Sequence, residues 1–227
     1  MLEAGERTPI VFFRRDSALF NGSGNSVGLR KVLSENPDMD IGGGQTPIRV
    51  WLALTDGNFA EAERVLAASP REDFQDIDYS FYYPKAWFEA MVARAKGDSA
   101  AATAAFSAAR TILEQRLAVK PEHARTLAVL AQVDAGLGHK EVAIQEAKHA
   151  ADLMPLSKDV YDGALVLEGL AQVYTWTNEA DRAVELLQKL AAMPSYVNYA
   201  RLKLYPIWNP VHGDPRFEKI VDSLAPK

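Results

Sequence analysis

The feature that most constrains the fold is an internal repeat of 40 or 41 residues. At four positions a glycine or asparagine is followed, five residues later, by an alanine. The four pairs are Gly57 and Ala62, Gly97 and Ala102, Gly138 and Ala143, and Asn178 and Ala183. The alanines are spaced 40, 41 and 40 residues apart. A fixed period of this length is typical of repeat proteins, in which each unit packs on its neighbours.

The residues around each turn indicate a pair of helices. Before Gly138, Leu127, Leu130 and Ala131 recur at spacings of three and four, which places them on one helical face. After it, Ala143 and Ala147 have the same spacing. Glycine ends helices because it adopts the left-handed conformation without strain, and asparagine tolerates that conformation as well. The small residues predict close crossings between helices.

Composition excludes several classes of protein. The chain has 227 residues, of which 48% are hydrophobic, and this is enough to bury a core. The net charge of −5 argues against a protein that binds nucleic-acid backbones, which normally shows a basic surface. Cysteine is absent, which excludes disulfides and thiolate metal sites. No stretch has the roughly 18 apolar residues of a membrane helix, and the N-terminus lacks a signal-peptide core. We therefore expect a cytoplasmic protein without a membrane or nucleic-acid partner.

The repeated unit resembles the tetratricopeptide repeat. That family has a small residue late in its first helix, a glycine at the turn, alanines spaced like Ala143 and Ala150, and a closing proline like Pro155. The resemblance covers residues 43–194 and departs from the family in length, since the family period is about 34 residues. A long second helix from Ser99 to Val119 and longer connections account for the difference. The resemblance implies an all-α fold, an α-solenoid of four tetratricopeptide-like repeats.

Two end segments flank the predicted repeats. Residues 1–42 are expected to form capping helices and a flexible loop over residues 21–28, with a glycine run at residues 42–44 as a joint. Residues 195–227 are expected to cap the last repeat, with Trp208 and Phe217 docking on it and a helix starting at Pro215. Their proline, tryptophan, proline and Asp-Pro-Arg-Phe pattern resembles the end of helical-repeat regions in bacterial signalling proteins, associated with serine/threonine kinase or adenylate cyclase domains. This resemblance implies a regulatory or docking role.

The family's concave groove is lined by first helices, which gives the candidate binding residues. By register, the groove positions are Trp51, Trp87, Met91, Arg94, Arg125, Gln132, Glu168 and Gln172. We expect Trp51, Trp87 and Met91 to be partly exposed and to bury apolar side chains of a partner. Arg94, Arg125, Gln132 and Gln172 would orient the partner through polar contacts. The alternative is that the tryptophans only pack between repeats.

These observations predict a protein-interaction module that binds a peptide or helix of a partner. The alternative is a scaffold that spaces an effector domain or self-associates. The family's carboxylate clamp is missing, because Ala128, Ala135 and Gly136 stand where its polar groups would lie, so binding of chaperone tails is not expected. An enzyme is not expected either, since no nucleophile–base pair or carboxylate dyad emerges. No cofactor is indicated, and the four histidines lack the spacing of metal ligands.

Overall fold

The structure is a computed structural model that describes residues 9–37, 45–75 and 81–227, and it is predominantly helical. The twelve α-helices of these segments are α1 (Pro9–Ser23), α2 (Val27–Glu35), α3 (Gln45–Thr55), α4 (Phe59–Ala68), α5 (Lys85–Lys96), α6 (Ser99–Val119), α7 (Ala124–Gly136), α8 (Lys140–Leu153), α9 (Val160–Trp176), α10 (Ala180–Ala191), α11 (Tyr199–Leu204) and α12 (Pro215–Leu224). The predicted boundary at residue 42 and the glycine run at 42–44 lie outside the described residues.

Four consecutive helix pairs share one turn geometry. The turns follow α3, α5, α7 and α9, and each contains a residue with a left-handed backbone: Gly57 (φ 66°), Gly97 (φ 82°), Gly138 (φ 83°) and Asn178 (φ 61°). In every turn the next residue donates its N–H to a carbonyl five residues earlier, at 2.8–2.9 Å. This is the long hydrogen bond of a Schellman motif, which satisfies a carbonyl at the end of the helix. The four predicted turns are confirmed.

The repeated alanines lie at helix crossings, as predicted. Ala62, Ala143 and Ala183 are fully buried and Ala102 is 8% exposed. Helix α6 spans the residues predicted for the long second helix. It approaches α7 so closely that a Cβ added to Gly136 would lie 2.6 Å from the Phe106 ring. A residue this small is therefore required where the second helix of one pair meets the first helix of the next.

A short β-hairpin adds a small amount of sheet to the predominantly helical fold. Strand β1 (Asp73–Gln75) pairs antiparallel with β2 (Tyr82–Pro84) in the connection between α4 and α5, with Phe74 opposite Tyr83. Aromatic residues favour strands. Strands of three residues are too short, however, to show the alternation of buried and exposed side chains from which a strand is predicted. The connection between α4 and α5 thus contains a hairpin, and its strand β2 packs on α5, α6 and α7.

Two helices precede the first pair. The expected loop over residues 21–28 is shorter than predicted, because α1 continues to Ser23 and α2 begins at Val27. The Arg30 guanidinium donates to the Leu52 carbonyl and pairs with Asp56 at 2.8 Å. Arg49 donates in return to the Leu33 carbonyl at 2.7 Å. These bonds fix α2 against α3, whereas α1 packs on α2 and also on α11 near the other end of the chain.

The C-terminal segment has two parts. Residues 199–211 comprise α11 and a 3₁₀ helix (Pro206–Val211) that contacts α9. Helix α12 begins at Pro215 as predicted, with the Asp214 carboxylate accepting from the Arg216 N–H, and it packs on α10. Phe217 is fully buried and Trp208 is 1% exposed. Within the described segments, no helix combines the length and apolar character needed to cross a membrane.

Candidate functional site

The structure buries most of the predicted groove residues. Trp87 and Met91 are only 1–3% exposed, so the expectation that these two are partly exposed is wrong, and Gln132 and Gln172 are 3% and 5% exposed. Trp51 and Arg125 are half-buried and Arg94 is exposed. The seven residues do lie on the first helices of the pairs, α3, α5, α7 and α9, and we call the side of these helices that carries them the first-helix face. Whether this face can bind a partner depends on what covers it.

The chain's own C-terminal segment covers part of the first-helix face. We call residues 199–211 the strap. The Tyr205 ring stacks on the Trp51 ring with centroids 4.4 Å apart and planes 9° apart. Further along, the Trp176 indole N–H donates to the Ile207 carbonyl at 2.9 Å. Because Trp51 is in α3 and Trp176 is in α9, strap residues only two positions apart contact both of these first helices.

A buried ion pair also anchors the strap. The Arg201 guanidinium contacts the Glu168 carboxylate at 2.9 Å, and the Glu168 side chain is 9% exposed. Burial raises the pKa of Glu168, and the positive charge of Arg201 offsets part of this effect. Burial also raises the pKa of Tyr205 to about 12, which keeps its hydroxyl neutral. Breaking one half of such a pair is costly, because the other charge remains buried.

An aromatic cluster lies beside the Trp51–Tyr205 stack. Trp87 meets Trp51 edge-on at 6.2 Å, and Tyr83 of the hairpin lies 4.8 Å from Trp87. Phe88 is 4.9 Å from Trp87. Tyr83 of the hairpin and Trp51, on which the strap stacks, therefore cover Trp87, and this is the physical reason that it is not exposed. The alternative interpretation of this tryptophan, packing within the protein, holds in this structure.

The two predicted arginines also have intramolecular contacts. The Arg94 guanidinium lies 4.4 Å from the centre of the Trp176 ring, an attractive cation–π geometry. Arg125 pairs with Asp162, whose side chain is 5% exposed at the start of α9. Arg94 remains accessible to a partner, whereas Arg125 joins α7 to α9.

Several buried polar atoms on this face lack a protein partner. Within the described residues, Trp87 Nε1, Gln132 Oε1, Glu168 Oε2 and Gln172 Nε2 have no hydrogen-bond partner. Each lies on a first helix, and Glu168 and Gln172 are one helical turn apart on α9. Gln132 packs against α9, since a Cβ on Gly169 would lie 2.9 Å from its Nε2. A buried polar group without a partner costs about 1–3 kcal/mol, so the contacts within the described residues leave this face incompletely satisfied.

A second buried polar cluster joins the helices α6, α7 and α8. The Asp134 carboxylate is fully buried and contacts Arg110 Nε at 2.9 Å and His139 Nδ1 at 2.6 Å. Burial, followed by the charge of Asp134, raises the pKa of Glu146 to about 8, and Glu114 adds to this while Arg110 opposes it. The folded protein therefore keeps the Glu146 carboxyl group protonated near neutral pH. Sequence spacing did not indicate this cluster, whose members lie on three helices and a turn.

Other features of the surface do not coincide with the predicted site. A cleft of about 600 Å³ lies between α10 and α12, where Asp181 and Arg216 approach within 2.8 Å. No predicted groove residue lines it. In the part of the chain that the structure describes, no three His, Asp or Glu side chains form a group that could hold a metal ion.

Comparison with known proteins adds no assignment: no protein-family model matches the chain, and no curated protein matches it at a significant level. The residues that sequence reasoning missed are Arg201, Tyr205 and Ile207 of the strap, and Trp176. The Tyr-Pro step at residues 205–206 is the signal that was present, because a residue before proline favours an extended backbone. It marks a break between helices without showing where the segment docks.

Proposed function

We propose that the chain is a tetratricopeptide-like solenoid that acts as a protein-interaction module through its first-helix face. Four helix pairs with one turn geometry, four buried alanines at a 40- or 41-residue spacing, and the family-like sequence pattern support this proposal. Repeat arrays of this kind use an extended face for recognition rather than a catalytic pocket. The residues 43–194 form the array in this proposal, and the two end segments cap it.

The observation that carries the proposal is the docking of the strap on the first-helix face. A ring stack, a side-chain bond to the Ile207 carbonyl and an ion pair hold it there. These are contacts that a groove makes with a bound segment of another chain, which it recognises by burying anchor side chains. The first-helix face therefore has the chemistry to hold a segment with an aromatic anchor and a cation.

The second candidate function is a scaffold that restrains or spaces an effector domain. The burial of Trp87 and Met91 favours it, because packing residues cannot serve as contacts unless the structure opens. The C-terminal resemblance to bacterial signalling proteins supports a regulatory role under both proposals. In the scaffold version, the strap is a permanent part of the core and the face never meets a partner.

The test uses the whole chain as bait and changes one buried side chain of the first-helix face. Gln172→Met keeps the volume of the side chain and removes an amide that has no partner among the described residues, so the fold should persist. Gln145→Met, on the exposed side of α8, is the matched control. Proteins captured from a bacterial extract are identified by mass spectrometry, and their affinity for purified wild-type chain is then measured by calorimetry.

We expect a discrete protein that binds the wild type and Gln145→Met equally and binds Gln172→Met at least about tenfold more weakly, since a polar group in a recognition site contributes through its paired hydrogen bond. Circular dichroism checks that both variants melt as the wild type does. Equal binding of all three chains would place the interaction on another surface. Absence of any discrete partner would favour the scaffold.

A further inference from the structure

We propose that the strap is an intramolecular ligand of the first-helix face, which a partner segment of the same chemistry displaces. This inference rests on the proposed function and specifies the partner. The segment that fits the face has an aromatic residue, a proline and an aliphatic residue in sequence, as at residues 205–207, preceded by a basic residue at the position of Arg201.

The contacts of the strap define what each position contributes. The aromatic residue stacks on Trp51, and the carbonyl two residues later accepts from the Trp176 indole. The basic residue neutralises Glu168, whose carboxylate would otherwise be buried without a counter-charge. The strap also buries Leu202 and Trp208, so a competitor must bring apolar side chains that replace this burial.

The unsatisfied polar atoms provide a reason for displacement. While the strap is docked, Gln132 Oε1, Glu168 Oε2 and Gln172 Nε2 have no hydrogen-bond partner within the described residues. A partner segment with a hydroxyl or amide side chain facing these atoms would satisfy them in addition to repeating the strap contacts. Because each buried polar atom without a partner is unfavourable, such a segment would bind the face better than the strap does.

The strap and helix α12 have separate anchors on the helix pairs. Helix α12 is anchored separately, through its packing on α10 and the buried Phe217 ring. Residues 192–198 connect the strap to α10, and residues 212–214 connect it to α12, both outside regular helices. For the strap to leave the face, α1 and α12, which both pack on α11, must release it, while α12 keeps its own packing on α10.

The first experiment supplies the strap in trans. A fluorescein-labelled peptide of residues 199–211 is titrated into the full-length wild type and into full-length Tyr205→Ala, in which the ring stack is lost but the first-helix face is intact. Tyr161→Ala is the matched control, because Tyr161 is an exposed tyrosine outside the strap. We expect the peptide to bind Tyr205→Ala at least about tenfold more tightly than the wild type or Tyr161→Ala, since affinity scales with the fraction of open chains. A peptide with alanine at the position of Tyr205 should lose this gain.

Equal binding of the peptide to the wild type and Tyr205→Ala would overturn the proposal. If Tyr205→Ala does not fold, amide hydrogen exchange of the wild type tests whether the strap opens. Residues 199–211 are then expected to exchange through a local opening, faster than the buried amides of α7 and α9. Exchange of the strap only at the rate of global unfolding would show that it is fixed core and would overturn the inference.

The two proposals fail in different ways. Peptide binding to the opened chain, without any protein captured by wild-type bait, would support the displaceable strap and contradict the interaction function. Capture that depends on Gln172, combined with a strap that never opens locally, would contradict the strap inference and leave the interaction function standing.

Discussion

Replacement of Gly136 by alanine tests the close packing of the helix pairs. Gly136 is the last residue of α7, and its backbone lies against the fully buried Phe106 ring of α6. A Cβ at this position would lie 2.6 Å from two ring carbons and 2.9 Å from a third. Those distances are far inside van der Waals contact, and a buried ring cannot move away without disturbing its neighbours, which include Trp176 at 6.1 Å.

Two opposing contributions determine the expected change in the free energy of unfolding. Alanine has the better helix propensity, which contributes at most about 1 kcal/mol and less at a helix end. Overpacking a buried contact costs about 1–3 kcal/mol. The net loss should be about 1–2 kcal/mol. For a chain of this size, that corresponds to a fall in Tm of roughly 2–8 °C.

The assay is thermal and urea unfolding followed by circular dichroism at 222 nm. Gly22→Ala is the matched control, because Gly22 also lies in a helix, α1, and its added Cβ would meet no atom within 4 Å. Its stability should be unchanged or higher by up to about 1 kcal/mol. If Gly136→Ala proves as stable as Gly22→Ala, the close approach of α6 and α7 is wrong.

Three further changes probe other parts of the account. Ala143→Leu should lose about 1–3 kcal/mol in urea unfolding because Ala143 is fully buried, whereas Ala108→Leu on the exposed side of α6 should be near neutral; equal losses would contradict the register of the repeat. The folded protein holds the Glu146 proton up to about pH 8 while the unfolded group loses it near 4.5, so this group's contribution to stability falls as pH rises between these values. Glu146→Gln should therefore gain in stability over the wild type from pH 5 to pH 8, and a pH-independent difference between the two would refute the raised pKa of Glu146. Phe217→Ala should cost about 3–5 kcal/mol and expose the last helix pair, which light scattering would detect as association; an unchanged monomer would show that α12 is dispensable.

The sequence predicted the features that depend on local rules. A turn at Gly138 needs a left-handed residue, and a crossing at Ala143 needs a small one, so both appear in the sequence at a fixed spacing. The extent of α6 followed from the same reasoning, since its alanine-rich run has no glycine or proline. The strands at residues 73–75 and 82–84 were missed because three residues are too few to show the alternation of buried and exposed side chains that predicts a strand.

The candidate site was predicted only in part. The helical register placed Trp51, Trp87 and Gln132 on the first helices, and the structure has them there. It gave no means of predicting that Tyr205, far along the chain, stacks on Trp51. Such a contact depends on the path of the whole chain rather than on local periodicity. The exposure of Trp87 was therefore predicted wrongly, because exposure is decided by what docks on a face.

The docking of the strap on the first-helix face is tested most directly by NMR of the full-length chain. We expect nuclear Overhauser cross-peaks between the Trp51 indole and the Tyr205 ring, whose centroids are 4.4 Å apart. We also expect the Trp176 indole proton, which is hydrogen-bonded to the Ile207 carbonyl, to exchange slowly with solvent. Absence of the Trp51–Tyr205 cross-peaks, together with a rapidly exchanging Trp176 indole proton, would contradict the account.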